Sequence, residues 1–168
     1  MKVYKIKRSA HLRALKSIVV TILFFSIGLS LLVVYRYGYL DLKKVFIAGS
    51  VSFVIFVLPM LLLHLQYYII NRYDSFSYDD VKQVIIYSSK YNDIRFHEKD
   101  ITEIIVYKTK PLAENRTAVF TWDEYNYALI KLSNNVVIRI SCLLVGELDK
   151  ILKLKNVHVK KTFYPWIT

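Results

Sequence analysis

A single cysteine, Cys142, stands among 168 residues, so no internal disulfide can form and the chain needs no oxidising compartment. Glycine and proline are nearly as scarce, at four and three, which excludes collagen-like and low-complexity architectures. No internal repeat is found. Charge is missing altogether from residues 17–35 and 45–63, two runs of 19 residues each. Hydrocarbon takes about 20 helical residues to cross, so each run is long enough to span a bilayer.

What is present in excess is positive charge, formally +11. Its distribution argues against nucleic acid as the partner. Residues 1–16 carry six cationic side chains and no acid, residues 36–44 carry three and one, and residues 67–168 carry 15 and 12. The surplus therefore sits ahead of the first apolar run, where it acts as a topology signal and meets anionic lipid head groups. No nucleic-acid motif or dense basic stripe accompanies it.

The first run lacks a small-residue cleavage site and a second run follows at once, which argues against a signal peptide. The link RYGYLDLKK is short enough only for a tight hairpin, and the positive-inside bias then predicts both termini in the cytoplasm of an inner-membrane protein. Tyr35, Tyr37 and Tyr39 mark one end of the hairpin and Tyr67 and Tyr68 the other. Small residues (Ser26, Gly28 and Ser30; Ala48, Gly49, Ser50 and Ser52) read as hairpin packing, with a homo-oligomer face as the alternative. Pro59 is expected to kink the second helix, and His64 reads as an interfacial residue.

Past the hairpin the pattern changes to period two. YDSFSYD, VKQVIIYSS, NDIRFHE, ITEIIVYKTK, RTAVFTW, YALIKLS and VVIRISCLL predict about seven short antiparallel strands in a sandwich or partly open barrel. Asn134 and Asn135 suit a tight turn before the last of them. Leu144, Leu148, Ile151 and Leu152 then share one helical face, predicting a helix that closes the open end. The expected class is α+β, divided into a basic flank (1–16), a two-helix transmembrane hairpin (17–70) and a domain with its own core (71–168).

Residues 94–107 (IRFHEKDITEIIVY) and 125–144 (YNYALIKLSNNVVIRISCLL) resemble bacterial pleckstrin-homology-like membrane proteins, the YcxB-like group among them. That resemblance implies a two-span hairpin preceding a PH-like β-barrel with a C-terminal capping helix. It carries no catalytic motif.

The residues themselves offer little chemistry. Cys142 reads as a small buried side chain rather than a nucleophile served by His97 or His158. The four histidines have no helical partners for zinc, and Asp123 and Glu124 are strand neighbours that point apart. No enzyme activity, metal or cofactor is expected. Two segments read as functional. The tail places Lys155, Lys160 and Lys161 beside Phe163, Tyr164 and Trp166, a mixture suited to a membrane surface, with a final strand or structural flap as the alternative. The loop from Thr109 to Asn126 offers Arg116, Trp122 and Tyr125 as anchors for a protein partner, with Trp122 filling the mouth of the barrel as the alternative. The expected function is a non-enzymatic module that binds a protein partner or the membrane surface. An immunity or envelope-stress protein and a subunit of an oligomeric transporter or channel are the alternatives.

Overall fold

The computed structural model describes residues 1–118, 120–146, 148–152 and 157–167. After a short strand β1 (Lys2–Tyr4), helix α1 runs over Arg8–Tyr37. It stops at Gly38, whose φ of 75° favours glycine and whose N–H bonds the Val34 carbonyl at 2.8 Å. Asp41 opens the return helix by accepting the N–H groups of Lys43 and Lys44, and those bonds hold its carboxyl below the usual range. Helix α2 (Leu42–Ser52) passes through a π-helical turn (Phe53–Val57) into α3 (Leu58–Asn71). Pro59 has no N–H to return to the preceding turn, so the helix widens there. Both continuous helices, Arg8–Tyr37 and Leu42–Asn71, are long and apolar enough to cross a membrane.

The small residues do not all serve the hairpin alike. Ala48, Gly49 and Ser52 are half-buried on one face of the return helix, whereas a Cβ at Gly28 or Gly49 would meet nothing within 4 Å, so the glycines are not sites of closest approach. Aromatic bulk also joins the helices, with Phe25 stacked on Phe56 at 4.7 Å between ring centres.

Eight strands form two four-stranded sheets. The first, in order β1-β2-β3-β4, adds β2 (Ser75–Asp79), β3 (Val84–Ser88) and β4 (Asp93–His97) to β1. The second is ordered β7-β6-β5-β8, from β5 (Ile101–Thr109), β6 (Asn126–Leu132), β7 (Val137–Ser141) and β8 (Val157–Thr162). Six of the expected strands are found, and Asn135 adopts the positive φ, 63°, that its turn needs. RTAVFTW is the exception, since none of its described residues is in a strand. One strand was not expected, β1, antiparallel to β2, while the tail forms the final strand that was the alternative to a surface segment: β8, parallel to β5. The helix after β7 is described only as the short α5 (Leu148–Ile151), and the chain returns to the sheet beyond it rather than ending there.

One core lies between the sheets. Phe76, Ile85 and Phe96 from the first pack with Ile104, Ile130 and Ile140 from the second, and Leu148 of α5 and Leu152 just after it close it. A second core joins the sheets to the helices, where Met60, Leu63 and Tyr67 of α3 are buried against Trp122, Tyr125 and Tyr127. Asn71 pins the junction. Its amide accepts the Ser141 N–H at 2.9 Å and donates to the Arg139 carbonyl at 3.0 Å, so the helix end is stitched to β7.

These contacts mean that residues beyond Asn71 do not hold all of their own core. A fragment starting at Arg72 loses β1 and the buried face of α3, where each large apolar side chain contributes roughly 1.5–3 kcal/mol. It is expected to lack a cooperative thermal transition in near-ultraviolet circular dichroism. A cooperative fragment would show that the inter-sheet core suffices alone.

Candidate functional site

The loop after β5 starts with a single helical turn, α4 (Lys110–Ala113), set by Pro111 at its beginning. Further on, the Asp123 carboxylate accepts the Phe120 N–H at 2.8 Å, and the Asp123 carbonyl accepts the Thr109 hydroxyl at 2.7 Å. This turn lays Phe120 flat on Trp122, with ring centres 4.7 Å apart and planes within 3°. The aromatics that made RTAVFTW look like a strand are used to fill a seam instead.

That seam joins loop, tail and helices. Phe120 stacks on Phe56 at 6.5 Å, and the Thr121 hydroxyl donates to the Phe56 carbonyl at 2.7 Å. The Trp122 indole donates to the Phe163 carbonyl at 3.2 Å. Tyr164 donates its hydroxyl to the Pro59 carbonyl, and Tyr67 donates to that of Pro165 at 2.7 Å. Gln66 grips the Ile167 backbone twice, donating at 2.7 Å and accepting at 3.1 Å. Burial pushes the Tyr164 and Tyr125 hydroxyls up, further from ionising at neutral pH.

The partner-binding candidates divide. Trp122 and Tyr125, each 5% exposed, are anchors whose partner is the chain's own helix pair, because the seam needs their rings. Tyr125 also shares a hydrogen bond with His64 at 2.9 Å, and His64 shares another with His11 at 2.9 Å. Arg116 is exposed and pairs through Nε with Glu114 at 3.0 Å. Among the membrane-surface candidates, Lys155 lies outside the described residues. Lys160 sits 5.4 Å over the Tyr107 ring, and Lys161 pairs with Glu114 at 2.9 Å. Phe163 is 70% exposed and Trp166 42%, whereas Tyr164 is half-buried.

Sequence reasoning passed over His11, Gln66 and Asn71. A polar side chain on an apolar helix was the available signal, since such a group requires a partner. The catalytic candidates are dispersed: Cys142 packs in the second core, His97 ends β4, and His158 lies on β8 opposite Ile105. Among the described residues, no three His, Cys, Asp or Glu side chains are grouped to hold a metal ion.

At the outer edge of the seam, α4, Phe120 and the end of β8 enclose a cavity of about 380 Å³. Its wall includes Lys110, Pro111, Phe120, Lys161 and Phe163. Lys161, followed by Arg116 and Lys110, holds the neighbouring Glu114 carboxyl below its usual range. The arrangement combines aromatic walls with surplus cations and presents no nucleophile with a base.

A family model described as PH domain matches residues 3–153. The match spans β1, both apolar helices and the strands up to β7, while β8 and the aromatic tail lie beyond it. Neither a curated protein nor a solved structure matches the chain.

The seam predicts opposite outcomes for two aromatic truncations. Trp122→Ala, which empties the second core, is expected to cost about 3–5 kcal/mol in thermal or denaturant unfolding. Phe163→Ala is expected to stay within about 0.5 kcal/mol of the wild type, since its ring is exposed. Equal losses would show that the tail ring is a structural member of the seam.

Proposed function

We propose, from the premise that this chain belongs to the PH-domain family, that it is a membrane-anchored interaction module held against the cytoplasmic face of a cell membrane. PH domains are generally non-catalytic modules that bind lipids or proteins. Two sheets around one core support the PH-like sandwich of the family, with the helix pair inserted between β1 and β2.

The observation that carries the anchor is the distribution of apolar surface on the helices. One face of α3 is buried against the sheets, while Phe24, Ile27, Leu31, Phe46 and Ile47 are exposed on α1 and α2. A contiguous apolar surface of this kind requires an apolar surrounding. The basic flank before α1 outweighs the hairpin tip in positive charge, which favours cytoplasmic termini. A conducting subunit is less well supported. The groove between the helices is walled mainly by apolar side chains, Ile22, Phe25, Phe46, Phe53 and Val54 among them, and carries no charged residue.

Depth follows from helix geometry. With Asp41 at the outer surface, Phe56 lies 15 residues along the helix, about 22 Å deeper, in a hydrocarbon layer about 30 Å thick. Phe120 and Trp122 share that level through Phe56. On this reading the aromatic edge of the domain reaches the inner leaflet, with Phe163 and Trp166 directed to lipid and the basic rim at the head groups.

Reporter fusions test the arrangement. A reporter after Thr168 is expected to report cytoplasm and one inserted at Gly38 the outside, with the chain retained in membranes after alkaline extraction. Release by alkali, or reversed reporters, overturns the reading.

A further inference from the structure

We propose that His11 and His64 form a proton-operated latch, which holds the start of α1 against α3 while the two rings share at most one proton and opens when each carries one. The latch takes from the membrane-anchored reading only the side from which the proton arrives, so it can fail while the anchor stands.

Two imidazole nitrogens face each other here. Nδ1 of His11 lies 2.9 Å from Nε2 of His64, and Nδ1 of His64 lies 2.9 Å from the Tyr125 hydroxyl. A hydrogen bond between two ring nitrogens needs one N–H and one lone pair. With both rings neutral, either ring can donate, and the Tyr125 hydroxyl donates or accepts to match. With one proton added, His64 donates from both nitrogens, to the His11 lone pair and to the Tyr125 oxygen. A second proton leaves no lone pair between the rings. Two N–H groups and two positive charges then meet at hydrogen-bond distance, and the rings must part.

The surroundings do not offset that second charge. His11 stands in the first turn of α1, where the helix dipole opposes a cation, and Arg8 already lies one turn before it. From α3, Tyr68 meets the His11 ring at 5.3 Å between centres, and Tyr67 meets Tyr125 at 5.5 Å. Cys142, Tyr164 and the exposed Glu124 act on Tyr125, whereas the ionisable group acting on His64 is His11. Among the described residues, no carboxylate bonds either histidine.

A proton can reach the pair. Both rings are half-buried rather than enclosed. His64 lies 23 residues beyond Asp41, about 34 Å along the helix and past a hydrocarbon layer of about 30 Å, at the cytoplasmic boundary. Opening the latch frees more than a ring. Helix α1 starts without a side-chain cap, and the segment joining it to β1 touches the cores only through partly buried Ile6 and Ala10. β1 itself is a three-residue edge strand. Parting the rings therefore loosens β1 and uncovers the outer edge of β2, so acid at the cytoplasmic surface sets whether the first sheet is closed.

Hydrogen–deuterium exchange of the full-length chain in detergent reads the latch, in an N-terminal peptide covering β1 and the first turns of α1. After correction for the intrinsic effect of pH on exchange, protection is expected to fall about tenfold between about pH 7.5 and about pH 5, a span that brackets the ordinary histidine value. About tenfold is what two unit charges at this separation cost even with water-like screening. His11→Gln and His64→Gln each remove one of the two protons, so their protection is expected to change less than about twofold. His97→Gln with His158→Gln retains the fall, and a metal chelator leaves it unchanged. Constant protection in the parent, a fall that persists in the single Gln variants or a fall that needs His97 or His158 overturns the proposal. So does a fall that the chelator abolishes, which would put a metal ion between the rings. If one Gln variant lacks a cooperative melt, the other decides. If both do, nitrogen-15 histidine spectra of the parent decide, since the last neutral ring of the pair must gain its proton as protection falls.

Discussion

One helix must satisfy two surroundings at once, and the rest of the molecule follows from how it does so. On α3, Met60, Leu63, Tyr67 and Asn71 recur at steps of three and four and are buried together against the sheets. Leu61, Leu62, Leu65 and Ile69 lie between them and stay exposed. The buried face carries the polar groups that need protein partners, so Tyr67 reaches Pro165 and Asn71 reaches β7. The exposed face is apolar apart from Tyr68, whose ring meets His11. This division sets the side of the helix on which the sheets stand and, on the proposed reading, how far their edge descends beside it.

The chain path makes the arrangement stiff. β1 precedes α1, yet it pairs with β2 beyond α3, with Lys2 opposite Tyr78. The helix hairpin is therefore an insertion between two neighbouring strands rather than an appendage before a domain. Closing so long an excursion costs chain entropy, and a three-residue strand cannot offset it alone. The aromatic seam shares that cost. Loop, tail and helices hold one another through rings in contact and through hydroxyls donated to the Phe56 and Pro59 carbonyls.

Local pattern was legible in the sequence, and long-range closure was not. Strands such as ITEIIVYKT and NYALIKL announce themselves because alternation is encoded within each segment. β1 escaped because KVY is short and set among lysines, and β8 stayed open between a final strand and a surface segment because a parallel partner is declared only by the sheet it joins. RTAVFTW misled for the converse reason: its β-branched and aromatic residues have strand propensity, and tertiary packing overrides it. At the site, Trp122 and Tyr125 stood out as anchors, and what their rings pack against was not written beside them. The helix face that holds them is some 60 positions earlier, and His64, its visible polar member, gave no sign of His11 as a neighbour.

A module on a loose tether gains from effective concentration, because its binding face can search the membrane surface in many orientations. This chain has given up that freedom. Strand pairing at β1, the Asn71 stitch at β7 and the Gln66 grip on Ile167 fix the sheets at three separate points, so rotation about the hairpin would break all three, the buried Asn71–Ser141 bond among them. In return, on the proposed reading, a surface that faces the bilayer is already oriented before any ligand arrives, and little ordering cost remains to be met on binding. The exposed ring of Phe163 is held in the same way, because its neighbour Tyr164 is tied to the Pro59 carbonyl.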